Sequence, residues 1–432
     1  PRQFQGDFTV ANYPVWSPDG KRLLFYGRRE RPSAISDWWV APLNGGPAVQ
    51  TGVVAALGKR GLRGTPEVWR RDGNFVLFSA QTGDARNIWR IPISPDTGKV
   101  AGEPERVTSG AGREDFPSLA AGHRMAFSSL NSQVDVWSLP VDADSGKVTG
   151  DLHRLTNDVA ADTRPSISHD GKKLVFLSDR SGNNDVWLKN LETGKETALT
   201  ATTAPEIRVR ISGDGSQVVY NQAVPNQQPA IYLVSAQGGV PKNACSDCGI
   251  MLSASPDGNI VTYWPGGTPI RIFSLEVESG RKTEVLPHDE AGRYRPVFSP
   301  DARWLSFNSG VGSGRSKIVV APFRAGAPTR ESDWIIVTEE PGFAIQPDWS
   351  PNGNVLYFLS DRDGFFCVWA HRLDPATKRP VGQPFEIRHF DSARRSVNNL
   401  ADAGEISLSV ARDKLVFSMG DLTGNIWMAE SR

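Results

Sequence analysis

Residues 164–200 read RPSISHDGKKLVFLSDRSGNNDVWLKNLETGKETALT. The pattern predicts four short strands, Pro165–Ser168, Lys173–Ser178, Asp185–Asn190 and Glu196–Leu199. SHDG, SDRSGNN and LETGK lie between them and carry turn chemistry. A sheet this small has two apolar faces and cannot bury both alone. It needs further sheets of the same kind on either side.

The chain supplies them. A first strand, a Ser-Pro-Asp-Gly turn and an apolar second strand recur as YPVWSPDGKRLLFYGRR from Tyr13, TPEVWRRDGNFVLFSA from Thr65 and FPSLAAGHRMAFSS from Phe116. After the opening unit come VRISGDGSQVVYNQ from Val209, MLSASPDGNIVTYW from Met251 and RPVFSPDARWLSFNS from Arg295. QPDWSPNGNVLYFLSDR from Gln346 and ISLSVARDKLVFSM from Ile406 complete nine starts. They lie about fifty residues apart, near the repeat length of a propeller blade. Each is followed by a third strand, and all but KIVVAPF carry a central aromatic ring, as in DWWVAPL, NIWRIPI, DVWLKNL and CVWAHRL. Periodic tryptophans of this kind read as packing between sheets rather than as a stacking platform. The expectation is an all-β fold, a closed propeller of four-stranded antiparallel blades forming a single domain over residues 1–432. Nine blades are expected, with eight as the alternative if 207–240 is not a full blade. After NIWMAE the last blade is one strand short, and Arg2–Gln5 is expected to complete it.

Composition excludes some classes. Lys+Arg and Asp+Glu are 48 each, a balance that argues against a nucleic-acid or membrane-surface binder. No apolar run approaches the roughly 20 residues of a membrane span. The chain begins at Pro1 without Met or a signal-like segment, as a piece of a longer protein would. Three cysteines are too few for a disulfide scaffold.

The WSPDGK, LLF, SDR and DVW elements resemble the TolB-like, WD40-like bacterial β-propeller repeats over essentially the whole chain. GGVPKNACSDCG, FLSDRDGFFCVWAHRLDPATKRPVG and GDLTGNIWMAE are similar to propellers appended to bacterial serine/threonine kinases and winged-helix regulators. The resemblance implies a bacterial binding, sensor or docking module. Its compartment is left open, and a place outside the cytoplasm is compatible with it.

In a propeller the 2→3 and 4→1 loops surround the channel mouth. Here they are the irregular ones: Arg28–Asp37, Thr51–Thr65, Asn221–Ala230, Ser309–Ser316 and Arg388–Glu405. Variable loops on a rigid scaffold tend to carry function. Tyr13, Arg63, Asp115, Arg164, Arg208, Arg295 and Glu405 stand where first strands are entered, and are the candidate ligand-binding residues. Arginines gathered there suit carboxylates or peptide termini through paired hydrogen bonds. The competing reading is a belt of ion pairs with Glu114, Asp162, Glu206 and Asp289. Arg394 and Arg395 read as solvated charge.

Catalytic and metal signals are thin. Cys245 and Cys248 form a CxxC without a second ligand pair, which favours a local disulfide or a reduced pair over zinc. Asp142-Ala-Asp144 aligns with the 3→4 turns and lacks the distal Glu of a calcium loop. No G-x-S-x-G or H-E-x-x-H occurs, and the six histidines scatter. No catalytic residue, metal site or cofactor is therefore assigned. The function expected is non-catalytic binding of a protein, peptide or small anionic ligand at the loop-rich face. The alternative is a propeller lyase or glycoside-active enzyme using carboxylates at the channel mouth.

Overall fold

The repeated Ser-Pro-Asp-Gly turn holds itself together. In the first repeat the Ser17 hydroxyl donates to Asp19 at 2.6 Å and accepts the Arg22 amide at 2.8 Å. The Asp19 carboxylate also accepts the Lys21 amide at 3.0 Å. The same Ser–Asp bond recurs at Ser168–Asp170, Ser212–Asp214, Ser255–Asp257 and Ser299–Asp301. The fourth turn position is left-handed, φ 74° at Gly171, which glycine adopts without a Cβ clash. In one repeat alanine stands there instead, and Ala302 takes φ 54°.

The turns connect strands whose alternate residues feed two different cores. In Lys173–Ser178, Val175 and Leu177 pack with Val209, Ile211 and Tyr220 of the following repeat. Leu174 and Phe176 pack on the other side with Val136, Ala411 and Val416. A strand buried on both faces reads as a continuous apolar run, as LVFL does here. Its sheet matches the sequence reading closely: Asp162–Ile167, Lys173–Ser178, Asp185–Asn190 and Glu196–Ala198, in that spatial order and antiparallel.

This computed structural model describes residues 3–29, 35–82, 85–110, 112–120, 124–286, 293–310, 315–338, 342–390, 395–397 and 406–430. The chain divides into two compact units, 1–132 with 422–432, and 133–421. The larger unit holds the sheet above and four more of the same order, with first strands Glu206–Ile211, Ile250–Ala254, Arg293–Phe298 and Ala344–Trp349. A sixth set is assembled from both ends of the unit. Leu408–Val410 pairs with the start of Lys414–Glu430, which neighbours the later part of Arg124–Asp142, which pairs with His153–Arg154. The six first strands contact one another in sequence, and Leu408–Val410 also lies against Asp162–Ile167, so the contacts close into a ring. The Tyr357 hydroxyl donates to the Ala143 carbonyl at 2.8 Å and ties neighbouring sheets of that ring.

The smaller unit contains two four-stranded sets, beginning with Phe8–Trp16 and Val68–Trp69, and a third led by Arg113–Leu119. A short helix, Val53–Gly58, occupies the Thr51–Thr65 loop. All nine starts are strands, six of them in the larger unit and three in the smaller. In two repeats the second strand runs on without a turn, in Arg124–Asp142 and Lys414–Glu430, so each long strand crosses the boundary between the units. Leu130-Asn131-Ser132-Gln133 contains no Gly or Pro to stop it.

The N-terminal clasp expected at Arg2–Gln5 is not seen among its described residues, Arg2 lying outside them. Residues 3–5 form no strand. Phe4 packs with Phe25 and Trp39 of the first repeat, and the Gln5 amide donates to the Gly46 carbonyl at 3.1 Å. An apolar side chain with a nearby core takes the local contact.

The tryptophans do not behave alike, and Trp16 and Trp427 are exposed. Trp69 and Trp349, on first strands, are buried. The third-strand Trp187 and Trp369 are half-buried beneath the arginines of the SDR loops, with Arg180 4.5 Å and Arg362 4.1 Å from the ring centroids. Arg395 likewise is not solvated charge. It pairs with Asp421 at 3.0 Å and lies over Trp137.

A left-handed non-glycine residue carries roughly 1–2 kcal/mol of steric cost, partly offset by the greater unfolded-state freedom of glycine. Ala302→Gly should therefore stabilise the protein by about 0.5–1 kcal/mol in urea denaturation. A loss of stability would show that the turn carries no strain.

Candidate functional site

The first strands are not regular. Opposite Leu177 and Val175, which are two residues apart, stand Thr163 and Ser166, which are three apart. The same extra residue occurs at Tyr294/Val297 and Ile345/Asp348, and the ladder also shifts at Glu206/Arg208 and Met251/Ser253. A bulge re-aims the side chain it carries and bends the strand. Where the bulge is an X-Pro pair, X is left-handed: φ is 54° at Arg164, 55° at Arg295 and 55° at Gln346. Proline disfavours a helical conformation before it, and a left-handed residue is rarer still. Surrounding hydrogen bonds hold it, the Arg164 amide donating to Ser418 Oγ at 3.1 Å.

The bulges bring one residue per repeat to a common place in the larger unit. Arg164, Arg208, Leu252, Arg295, Gln346 and Ser407 line a constriction of about 20 Å³. The Arg295 guanidinium donates to the Ile406 carbonyl at 2.9 Å, and the Gln346 amide donates to the same oxygen. A wider cavity of about 290 Å³ is bounded by the same three arginines. Its other walls are Ile207, Ile250, Leu252, Trp264, Ile270 and Ile272.

Two residues further along their strands stand Arg210 and Asp348. Burial pushes the Arg210 guanidinium below its usual range, and Asp348 opposes that. Burial raises the Asp348 carboxyl to about 6, against Arg210 and the amides of Trp349 and Val410, which donate to it at 2.8 and 3.1 Å.

The sequence candidates fare differently. Arg164, Arg208 and Arg295 meet at one cavity, on bulges inside the strands rather than before them. Tyr13, Arg63 and Asp115 belong to the smaller unit. Tyr13 shares the left-handed bulge position, as does Phe116, and both are exposed, at 56% and 67%. Arg63 is exposed in a coil. Asp115 is 2% exposed and is held by Arg86 at 2.5 Å and by Arg113. Burial works to raise its carboxyl, but these two partners outweigh it and keep it below the ordinary range. It is a structural ion pair. Glu405 and Asp289 lie outside the described residues, as do parts of the loops at 30–34, 311–314 and 398–404.

Of the four carboxylates offered as counter-charges, the three within the described residues have other partners. Asp162 binds Arg180 at 3.1 Å, and Glu114 accepts the Asn87 amide at 2.8 Å. Glu206 accepts from Thr202 and Gln222, and burial, with Asp185 adding to it, raises it to about 7. Leu252, Gln346 and Ser407 were legible as the same column of the repeat as Arg164 but carry no charge to draw notice. The isoleucines and Trp264 gave no sequence signal.

Cys245 and Cys248 form a disulfide. Cys367 is buried, with its sulfur 3.0 Å from His389 Nδ1. Asp142 accepts the Ser145 hydroxyl at 2.7 Å within a 3→4 turn, as the alignment of repeats indicated. Among the described residues no helix is long and apolar enough to cross a membrane.

Asp348 supplies a pH test. Its folded value of about 6 lies above the ordinary aspartate value of 3.8, so folding takes up a proton between them. The stability this contributes is complete below the lower value and is lost as pH rises through about 6. Asp348→Asn should flatten the fall in stability between pH 4 and 7, by at most about 1.4 kcal/mol per pH unit. Parallel curves for the two proteins in chemical denaturation would show that Asp348 titrates normally.

No protein-family model matches the chain. An uncharacterized protein of Agrobacterium fabrum is 30% identical over 162 residues, 36% of this chain and 51% of that protein. The uncharacterized peptidase YuxL of Bacillus subtilis is 28% identical over 155 residues, 33% of this chain and 21% of that protein. The chain thus spans about half or less of the curated relatives it matches. Among solved structures, a putative TolB from Agrobacterium tumefaciens gives a TM-score of 0.49 at 20% identity, covering 68% of this chain and 99% of that one. TolB from Acinetobacter baumannii gives 0.44 at 13% identity, covering 83% and 84%. The nine repeated starts, the four-stranded antiparallel sheets and the contacts among successive first strands give this chain a β-propeller fold.

Proposed function

We propose that the larger unit binds an anionic small molecule or peptide-like partner at Arg164, Arg208 and Arg295, without catalysing a reaction on it. The observation that carries this reading is that one arginine from each of three repeats lines a single cavity. Guanidinium donors match a carboxylate in charge and in geometry. Two of the three are held in left-handed bulges, and strained backbone that aims a side chain into a cavity favours a binding role over a decorative one. In this reading the chain is the sensor or docking part of a bacterial regulator, with the remainder of that protein outside these residues.

A thermal-shift and denaturation series with acetate, citrate, phosphate and short peptides tests the proposal. A ligand at 100 times its dissociation constant should add roughly 2.7 kcal/mol of stability. The gain should shrink in Arg164→Ala and Arg295→Ala and with added salt. A series without any gain, or a gain unchanged in both variants, would overturn it.

A further inference from the structure

The cavity beside the arginines is two-sided in its chemistry. Arg164, Arg208 and Arg295 bound it with charge, and Ile207, Ile250, Leu252, Trp264, Ile270 and Ile272 bound it with hydrocarbon and an indole. Next to it, at the level of Arg210, Gln346 and Ile406, free space falls to about 20 Å³. That is room for about one water. The 290 Å³ of the cavity itself is at the small end of ligand pockets.

These dimensions discriminate among anions. A sugar acid or a phosphorylated metabolite satisfies the guanidinium groups but presses hydroxyls against the isoleucines, where they lose water without a partner. An acid with a compact branched or aromatic body satisfies both walls. Its carboxylate takes the arginine donors and its body takes the hydrocarbon. Several residues of peptide do not fit the volume, whereas one terminal residue does.

We infer that this site selects carboxylates that carry a single compact apolar body over hydrophilic anions of equal charge. The inference rests on the binding reading above. A free acid and the C-terminal residue of a peptide share this chemistry.

Isothermal titration of the whole chain with N-acetylleucine, galacturonate and a pentapeptide ending in leucine, as free acid and as amide, tests it. N-acetylleucine should bind at least tenfold tighter than galacturonate. Ile250→Thr and Ile270→Ser, at half-buried positions, should remove that preference by weakening N-acetylleucine at least tenfold. The amidated peptide should bind at least tenfold more weakly than its acid. A free acid source is indicated if N-acetylleucine matches the peptide acid, and a chain terminus if the peptide acid is tighter. Equal affinity for N-acetylleucine and galacturonate, or a preference that survives both variants, overturns the inference. If galacturonate still binds and depends on Arg164, only the selectivity falls. If no anion binds, the binding reading falls with it.

Discussion

Each sheet in this protein has two apolar faces and too few strands to cover either. Leu174 and Phe176 face one neighbour while Val175 and Leu177 face the other, so a single six-residue strand commits its sheet to two partners. Repetition meets that demand for interior sheets, since every sheet covers the next. It leaves the first and last members of a row half covered. In the larger unit the sixth set, drawn from residues near both ends of 133–421, lies against the first strand of the opening repeat. Closure therefore follows from burial and needs no special sequence at the joint.

The same strands that build the core also build the cavity, because a bulge separates the two tasks along one chain. Before Arg164 and after Pro165 the first strand pairs regularly, and the extra residue between turns a side chain out of the ladder. A regular strand would alternate Arg164 with its neighbours across the two apolar cores, where an unpaired guanidinium is strongly unfavourable. The bulge resolves that conflict. A left-handed residue before proline carries a local cost, on the order of 1–3 kcal/mol, which the well-packed sheets around it readily outweigh.

Much of the candidate site was legible and much was not. Arg164, Arg208 and Arg295 could be found because charge recurs at one column of an apolar repeat. Asp115 and Arg63 occupy similar places in the sequence, yet one is consumed by Arg86 and Arg113 and the other lies in a coil. Which cations find partners depends on side chains from distant residues, and the repeat register says nothing about them. Arg395 illustrates the converse, since a residue that read as loop charge lies over Trp137 and holds a buried carboxylate, as Arg180 does over Trp187.

The sequence by itself determined the strands, the Ser-Asp turns and the column that faces inward. Each is written in spacing of two or in contacts only a few residues apart, so local chemistry suffices. Only the tertiary structure decided how the nine starts are grouped, where Phe4 packs and which walls the arginines face. Those outcomes turn on whether a second strand stops or runs on at 130–133, and on isoleucines brought together from separate repeats. Both are comparisons between whole arrangements of sheets, whose differences in burial no single stretch of sequence encodes.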